Sequence, residues 1–297
     1  EDKIYMKILA KCSTDIRQIE DRLKKGATGL ELHTFMEDIA TKDKALETYK
    51  RIRPYKEYIK VLHLPIHLKC NIEGLNALSD HTIERGLVII QSLSDDDDEQ
   101  KHIIFHQDLH MRHLHNFNLY EPIKAQLQKL LEEYPNVTYN LENLMLLNNY
   151  QGNLEVKSSY FDANVELCKA LKRDLNTDRI GIVTDTCHMI STNRIYNHIF
   201  GKDLYNINDY IRKYGEYINI VHLANATGYG INEGHGTTFN TSEEDIQILN
   251  EILHTLSEIN YQGIMTLEVY EENFYDAQNY LKTLQTINNY INQPVSV

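Results

Sequence analysis

Six residues in this chain are of types that hold divalent cations, and each closes an apolar run: His63, His106, Glu142, Asp185, His222 and Glu268. The clearest case is IGIVTDTCH at 180–188. There Ile180, Ile182 and Val183 stop at Asp185, and His188 follows three residues on. An apolar β-type run that ends in a carboxylate and an imidazole reads as a buried strand delivering metal ligands. The pattern recurs in YIKVLHLPI (58–66), KHIIFHQ (101–107), VTYNLEN (137–143), INIVHLANA (218–226) and GIMTLEVY (263–270). A single histidine beside an apolar strand is more often a hydrogen-bonded structural residue. Six ligand-type residues at equivalent positions point instead to one shared site. Mixed imidazole and carboxylate donors suit Zn, Mn, Co or Fe(II) better than Ca, which takes oxygen ligands.

Such a site needs a scaffold that brings distant strand ends together. Besides the six runs above, strands are expected at 3–10 and 29–35 (GLELHTF). Helical spacing or composition marks 15–25, 42–58, 80–93, 119–134, 159–175, 206–214, a helix capped by Thr241 or Ser242 and running to 259, and 273–290. The acidic run SDDDDEQ at 94–100 reads as a solvated loop, since consecutive aspartates on a loop seldom converge on an ion. GYGINEGHGTTF at 228–239 reads as a glycine-rich loop. Eight strands alternating with eight helices imply parallel strands joined by right-handed crossovers. At 297 residues the economical solution is an α/β fold with one (β/α)8 TIM barrel, a single domain over 1–297. A doubly wound open sheet is the alternative, but no glycine-rich phosphate fingerprint follows the first strand. Catalytic residues of such barrels sit at the C-terminal strand ends, where all six residues fall.

The apolar fraction of 42% supports a sizeable core. A net charge of −13 argues weakly against general affinity for nucleic acid or anionic membranes, and leaves room for a local basic patch. Cys12, Cys70, Cys168 and Cys187 form no CxxC pair, as expected of reduced thiols in a cytoplasmic protein. No signal-peptide core and no bilayer-spanning apolar run is found.

From GLELH at 29–33 to TLEV at 266–269, the chain resembles the xylose isomerase-like TIM-barrel superfamily, which includes sugar isomerases and epimerases and endonuclease IV. The most specific pieces are DTCH at Asp185, EN at Glu142, HLA at His222 and LE at Leu267. In the isomerase branch the resemblance implies one metal held by Glu142, Asp185, His222 and Glu268, with Glu142 and Glu268 doubling as proton-transfer bases. His63, His188, His235 and His67 would then contact the substrate, a small carbohydrate or sugar phosphate. Oligomers are common in that branch. In the endonuclease IV branch it implies three zincs, with His63, His106, His188, Glu233 and His235 as further ligands. Aspartate is expected at the Glu233 position, and the GHG at Gly234 also fits a glycine turn of the isomerases.

The departures differ between branches. No arginine follows His222, where some ketose epimerases use one. On the endonuclease side, HTFMEDIATKD after strand two lacks the DNA-probing Arg and Trp, and ILAKCSTD lacks the Gly-Ser-His start. His33 and His110 are spare imidazoles nearby, expected behind the ligands or on the substrate. The sequence puts proton abstraction beside a metal-polarised carbonyl first, and multinuclear zinc phosphoester hydrolysis second. A non-catalytic metal-binding or interaction module comes last, because none of the four core ligands is lost.

Overall fold

Eight strands close into a parallel barrel: β1 (Lys7–Ser13), β2 (Leu30–His33), β3 (Ile59–His63), β4 (Lys101–Phe105), β5 (Val137–Glu142), β6 (Ile180–Asp185), β7 (Ile218–Leu223) and β10 (Ile264–Leu267). Around the barrel the order is β1-β10-β7-β6-β5-β4-β3-β2, with every neighbouring pair parallel. The remaining two strands, β8 (Asn225–Gly230) and β9 (Glu233–Thr237), form a separate antiparallel ribbon after β7. This computed structural model describes residues 6–65, 82–97, 99–106, 120–143, 160–230 and 233–291.

Helices lie between the barrel strands: α1 (Ile16–Lys24), α2 (Lys42–Ile52), α3 (Thr82–Asp97), α4 (Tyr120–Glu133), α5 (Tyr160–Leu175), α6 (Thr186–Phe200), α7 (Ile207–Tyr214), α8 (Glu243–Glu258) and α9 (Gln278–Ile291). Their starts follow ordinary capping chemistry. The Asp15 side chain accepts from Arg17 N, Thr41 from Lys44 N, Asn206 from Asp209 N and Ser242 from Asp245 N.

Two apolar layers hold the barrel. The larger core joins outward strand residues such as Leu32, Phe105, Leu141 and Ile182 to helix residues such as Ile19, Ile90, Leu127 and Leu253. The smaller one is Leu9, Val61, Ile104, Val183, Ile220 and Ile264, drawn from six strands. Residues two apart on a strand share a face. Two positions beyond five of these residues stand Lys11, His63, His106, Asp185 and His222. Each polar group is thus carried one layer above a dry plug, at the C-terminal mouth.

Four expectations need correction. The first strand runs from Lys7 to Ser13 rather than over 3–10, which brings Lys11 into the barrel wall. Helix α6 was not expected after β6. Residues 186–192 are all buried, so no polar face breaks the run into a helical period. The acidic stretch is not all loop: α3 extends to Asp97. Carboxylates at a helix C-terminus oppose its dipole, but Asp96 accepts from Tyr49 OH at 2.7 Å and pairs with Arg53 at 2.8 Å. Within the glycine-rich stretch, residues 228–230 and 233–237 belong to the β8–β9 ribbon rather than to a loop.

Gly181 on β6 is a point where the barrel admits no side chain. A Cβ there would lie 2.0 Å from Asn219 Nδ2, and that amide is held by Asn140 Oδ1 at 2.9 Å. Gly181→Ala is expected to cost about 1–3 kcal/mol of stability, read as a lower denaturant midpoint. An unchanged midpoint would mean that Asn219 swings away freely. Among the described residues no helix is long and apolar enough to cross a membrane, and Cys12, Cys168 and Cys187 are free and buried.

Candidate metal centre

His63, Glu142 and Asp185 are the last residues of β3, β5 and β6; His106 and Glu268 come directly after β4 and β10; His222 is the penultimate residue of β7. His188 lies in the first turn of α6, and His235 is carried in by β9. All eight converge. Ligand atoms of four groups lie within 4.8 Å of one another: Glu142 with Asp185, His222 and Glu268; His63 with His106 and Glu142; Asp185 with His188 and His235; and Glu31 with His63 and His222. The glycines flanking His235 make its approach possible. Gly234 and Gly236 have φ of +75° and +73°, and a Cβ on Gly234 would lie 2.1 Å from Thr227 Oγ1.

The hydrogen bonds orient bare nitrogens into the centre. His63 Nδ1 donates to the Leu64 carbonyl at 2.7 Å, and His188 Nδ1 donates to the Asn143 carbonyl at 2.6 Å. A carbonyl only accepts, so the neutral ring keeps its lone pair on Nε2 in each case. His63 Nε2 then faces Glu142 Oε2 at 2.7 Å, and His188 Nε2 faces His235 Nε2 at 3.1 Å. His106 Nε2 stands 3.2 Å from Glu142 Oε2 without hydrogen-bond alignment, and its Nδ1 has no partner among the described residues. Asp185 Oδ2 is buried and likewise lacks a hydrogen bond there. Lone pairs aimed at lone pairs need a proton or a cation between them. The donor set fits divalent metal ions on this ground.

Burial dominates the electrostatics. It lifts the Asp185 carboxyl above the usual carboxylate range and drives His106 and His33 down to about 3. Burial opposes the charged forms of His222, Glu142, Glu268 and Glu31 as well, but their partners outweigh it. Glu31 and Glu268 raise His222 well above the ordinary imidazole value. His106 and His222 hold Glu142 down, Lys11 and His222 hold Glu268 down, and His222 and Lys11 hold Glu31 at about 2.

These shifts set a stability optimum for the metal-free protein. Below the ordinary histidine value of 6.5, the unfolded chain takes up protons at His33 and His106 that the folded chain refuses. Stability therefore falls with acid. The contribution of Glu31, Glu142 and Glu268 is lost progressively as pH drops from 4.5 through their depressed folded values. Above 6.5 the folded chain keeps a proton on His222 that the unfolded chain has released, and this contribution fades as pH rises through the folded value. Melting temperatures in excess chelator are expected to peak near pH 6.5. A melting temperature that climbs steadily through the alkaline range would show that His222 is not held as a cation.

Two residues of the centre escaped the sequence reading. Glu31 of β2 is fully buried, with both oxygens 3.1 Å from His222 Nε2 and with Thr266 Oγ1 donating to Oε2 at 2.7 Å. It leaves His222 Nδ1 to face Glu142 Oε1 at 3.2 Å and Glu268 Oε2 at 2.6 Å. A carboxylate on the far nitrogen of a ligating histidine fixes tautomer and ring orientation. The available signal was a carboxylate between two leucines in LELH, which no apolar strand needs. The other residue is Lys11, whose Nζ lies 2.7 Å from Glu268 Oε1 and 3.2 Å from Glu31 Oε1. His33 packs beside His63 with ring centroids 5.1 Å apart. His67, His110, Cys70 and the Glu233 side chain lie outside the described residues.

The sequence profile of the xylose isomerase-like TIM barrel family matches residues 95–290, from before β4 into α9. The chain belongs to this family. Solved structures agree on the xylose isomerase-like fold. A xylose isomerase domain protein from Planctomyces limnophilus superposes with a TM-score of 0.60 at 16% identity, covering 96% of each chain. The 3-keto-D-glucoside 4-epimerase from E. coli gives 0.55 at 14% identity over 96% of this chain and 99% of that one. An AP endonuclease of family 2 from Brucella melitensis gives 0.56 at 13% identity, again over 96% and 99%. At such identities the likeness is one of fold. No curated protein matches this xylose isomerase-like barrel by sequence.

Proposed function

We propose that this protein is a metal-dependent hydrolase of small phosphoesters that works with more than one divalent ion. The observation that carries this reading is the overlap of the ligand groups. Glu142 belongs both with His63 and His106 and with Asp185, His222 and Glu268; Asp185 belongs also with His188 and His235. A carboxylate common to two groups would have one oxygen to offer each ion, as a bridged centre needs. With a single ion, His63 and His235 would be left to contact the substrate, and His106 would stand beside Glu142 without a ligand role. Zinc or another ion that accepts imidazole and carboxylate together, such as Mn, Co or Fe, suits the donors. When bound, such ions supply Lewis acidity at the phosphoryl oxygens and activate water. The chain's own part is to hold the donors rigidly, through Glu31 on His222, the Leu64 carbonyl on His63 and the Asn143 carbonyl on His188.

The substrate is small. A cavity of about 310 Å³ opens beside Glu268 and His235, in the size range of small-molecule sites. A neighbouring cavity presents Arg17 and Arg51, but these pair with Asp15 and Asp38 at 2.7 Å each. Paired cations on a chain of net charge −13 make a poor track for a nucleic-acid backbone. A sugar phosphate meets both the size and the chemistry.

The isomerase or epimerase reading keeps one observation of its own. Glu142 and Glu268 flank His222 from strands separated by β6 and β7, as removal and return of a proton on opposite substrate faces would require. One experiment separates the two. Zinc-loaded protein is assayed for metal content, for release of p-nitrophenol from p-nitrophenyl phosphate, and for deuterium uptake into ketoses in heavy water. More than one zinc per chain with nitrophenol release is expected. One ion per chain with deuterium uptake and no hydrolysis would replace the hydrolase reading by the isomerase one.

A further inference from the structure

We infer that Lys11 is an oxyanion-binding residue of this site, donating from its ammonium group to a phosphoryl oxygen of the substrate. The inference rests on the phosphoester reading and names the group on this chain that touches the transferred phosphoryl. Lys11 stands on the inner face of β1, one layer above Leu9. Its side chain is only 12% exposed. A buried ammonium is costly unless paired and hydrogen-bonded. The Glu268 and Glu31 carboxylates pair with it at 2.7 and 3.2 Å. Lys11 also lines the cavity beside Glu268 and His235, where its ammonium can reach a bound anion.

The other basic side chain of that cavity wall is Arg22, whose guanidinium is bound to Asp21 and to the Phe274 carbonyl. Lys11 is the cation of that wall that stands among the carboxylates of the mouth, beside Glu268 and Glu31. Its charge thus stands where the cavity meets the carboxylates of the mouth. Glu31 and Glu268 hold the ammonium in place beforehand, so no reorganisation is needed as charge gathers on the phosphoryl oxygens. His33 and His235 line the same cavity.

The test uses inorganic phosphate as probe. Its binding to zinc-loaded wild type, Lys11→Met and Lys11→Arg is measured by calorimetry, with zinc content and melting temperature recorded for each. Wild type is expected to bind phosphate, Lys11→Met about tenfold to a hundredfold more weakly, and Lys11→Arg within about threefold of wild type, all with equal zinc. If Lys11→Met does not fold, Lys11→Gln takes its place and the same loss is expected. Equal phosphate affinity in wild type and the Met or Gln variant overturns the inference alone. A lowered zinc content that accounts for the phosphate loss also overturns it, because Lys11 would then serve only to support Glu268. Wild type that loads zinc but binds no phosphate overturns the phosphoester reading itself, and the inference with it.

Discussion

Glu142→Gln is expected to lower the zinc content of the purified protein by more than any other single isosteric change and to abolish turnover. Its carboxylate lies 2.7 Å from His63, 3.2 Å from His106 and 3.2 Å from His222, so it belongs to two ligand groups at once. A glutamine fills the same volume, and the Asn164 amide hydrogen bond to the Glu142 backbone carbonyl is untouched. The fold should survive. What is lost is the charge that would let one side chain serve both ions of the proposed centre. Removing a group that merely supports a ligand typically costs about 10–100-fold in metal affinity or activity. A bridging ligand should exceed that, so a loss of more than about a hundredfold is the threshold. Metal per chain by atomic emission, with circular dichroism to check the fold, decides the matter. Full zinc content and full activity in this variant would end the overlapping-group account.

The second large effect belongs to Glu31, which holds His222 by its Nε2 side. Glu31→Gln should weaken zinc binding by about 10–100-fold, measured in competition with a chromophoric chelator. The amide still reaches His222 Nε2, but a neutral acceptor polarises the imidazole less and no longer balances the Lys11 ammonium 3.2 Å away. Zinc affinity equal to that of wild type would reduce Glu31 to a space-filling partner of Thr266. The two variants also separate direct contact from support: the first removes a donor atom, the second only its hold on His222.

How much of this was legible beforehand depends on whether a residue interrupts an apolar pattern. His63, Glu142, Asp185, His222 and Glu268 end apolar runs, and the barrel brings those strand ends to one mouth. Lys11 was invisible because the strand was set four residues too early at its start, which left it beyond the wall instead of within it. Glu31 was hidden inside its run, where a barrel strand is buried on both faces and alternation carries little information. Helix α6 was missed for a related reason, since a helix buried on every side at its start has no amphipathic signature. His235 was visible as chemistry, but its carrier was taken for a loop. The paired strands of that ribbon contain four glycines, residues that sequence patterns assign to turns.

Asp185 divides its carboxylate. Oδ1 accepts the His188 N–H at 3.1 Å and starts helix α6, while Oδ2 is buried without a hydrogen bond among the described residues. The oxygen that faces inward is therefore aimed by the first turn of a helix before any cation arrives, at no cost in side-chain freedom on arrival. The carboxylate at the mouth and the cap of α6 are thus one side chain, at the opposite end of the helix from Gly201.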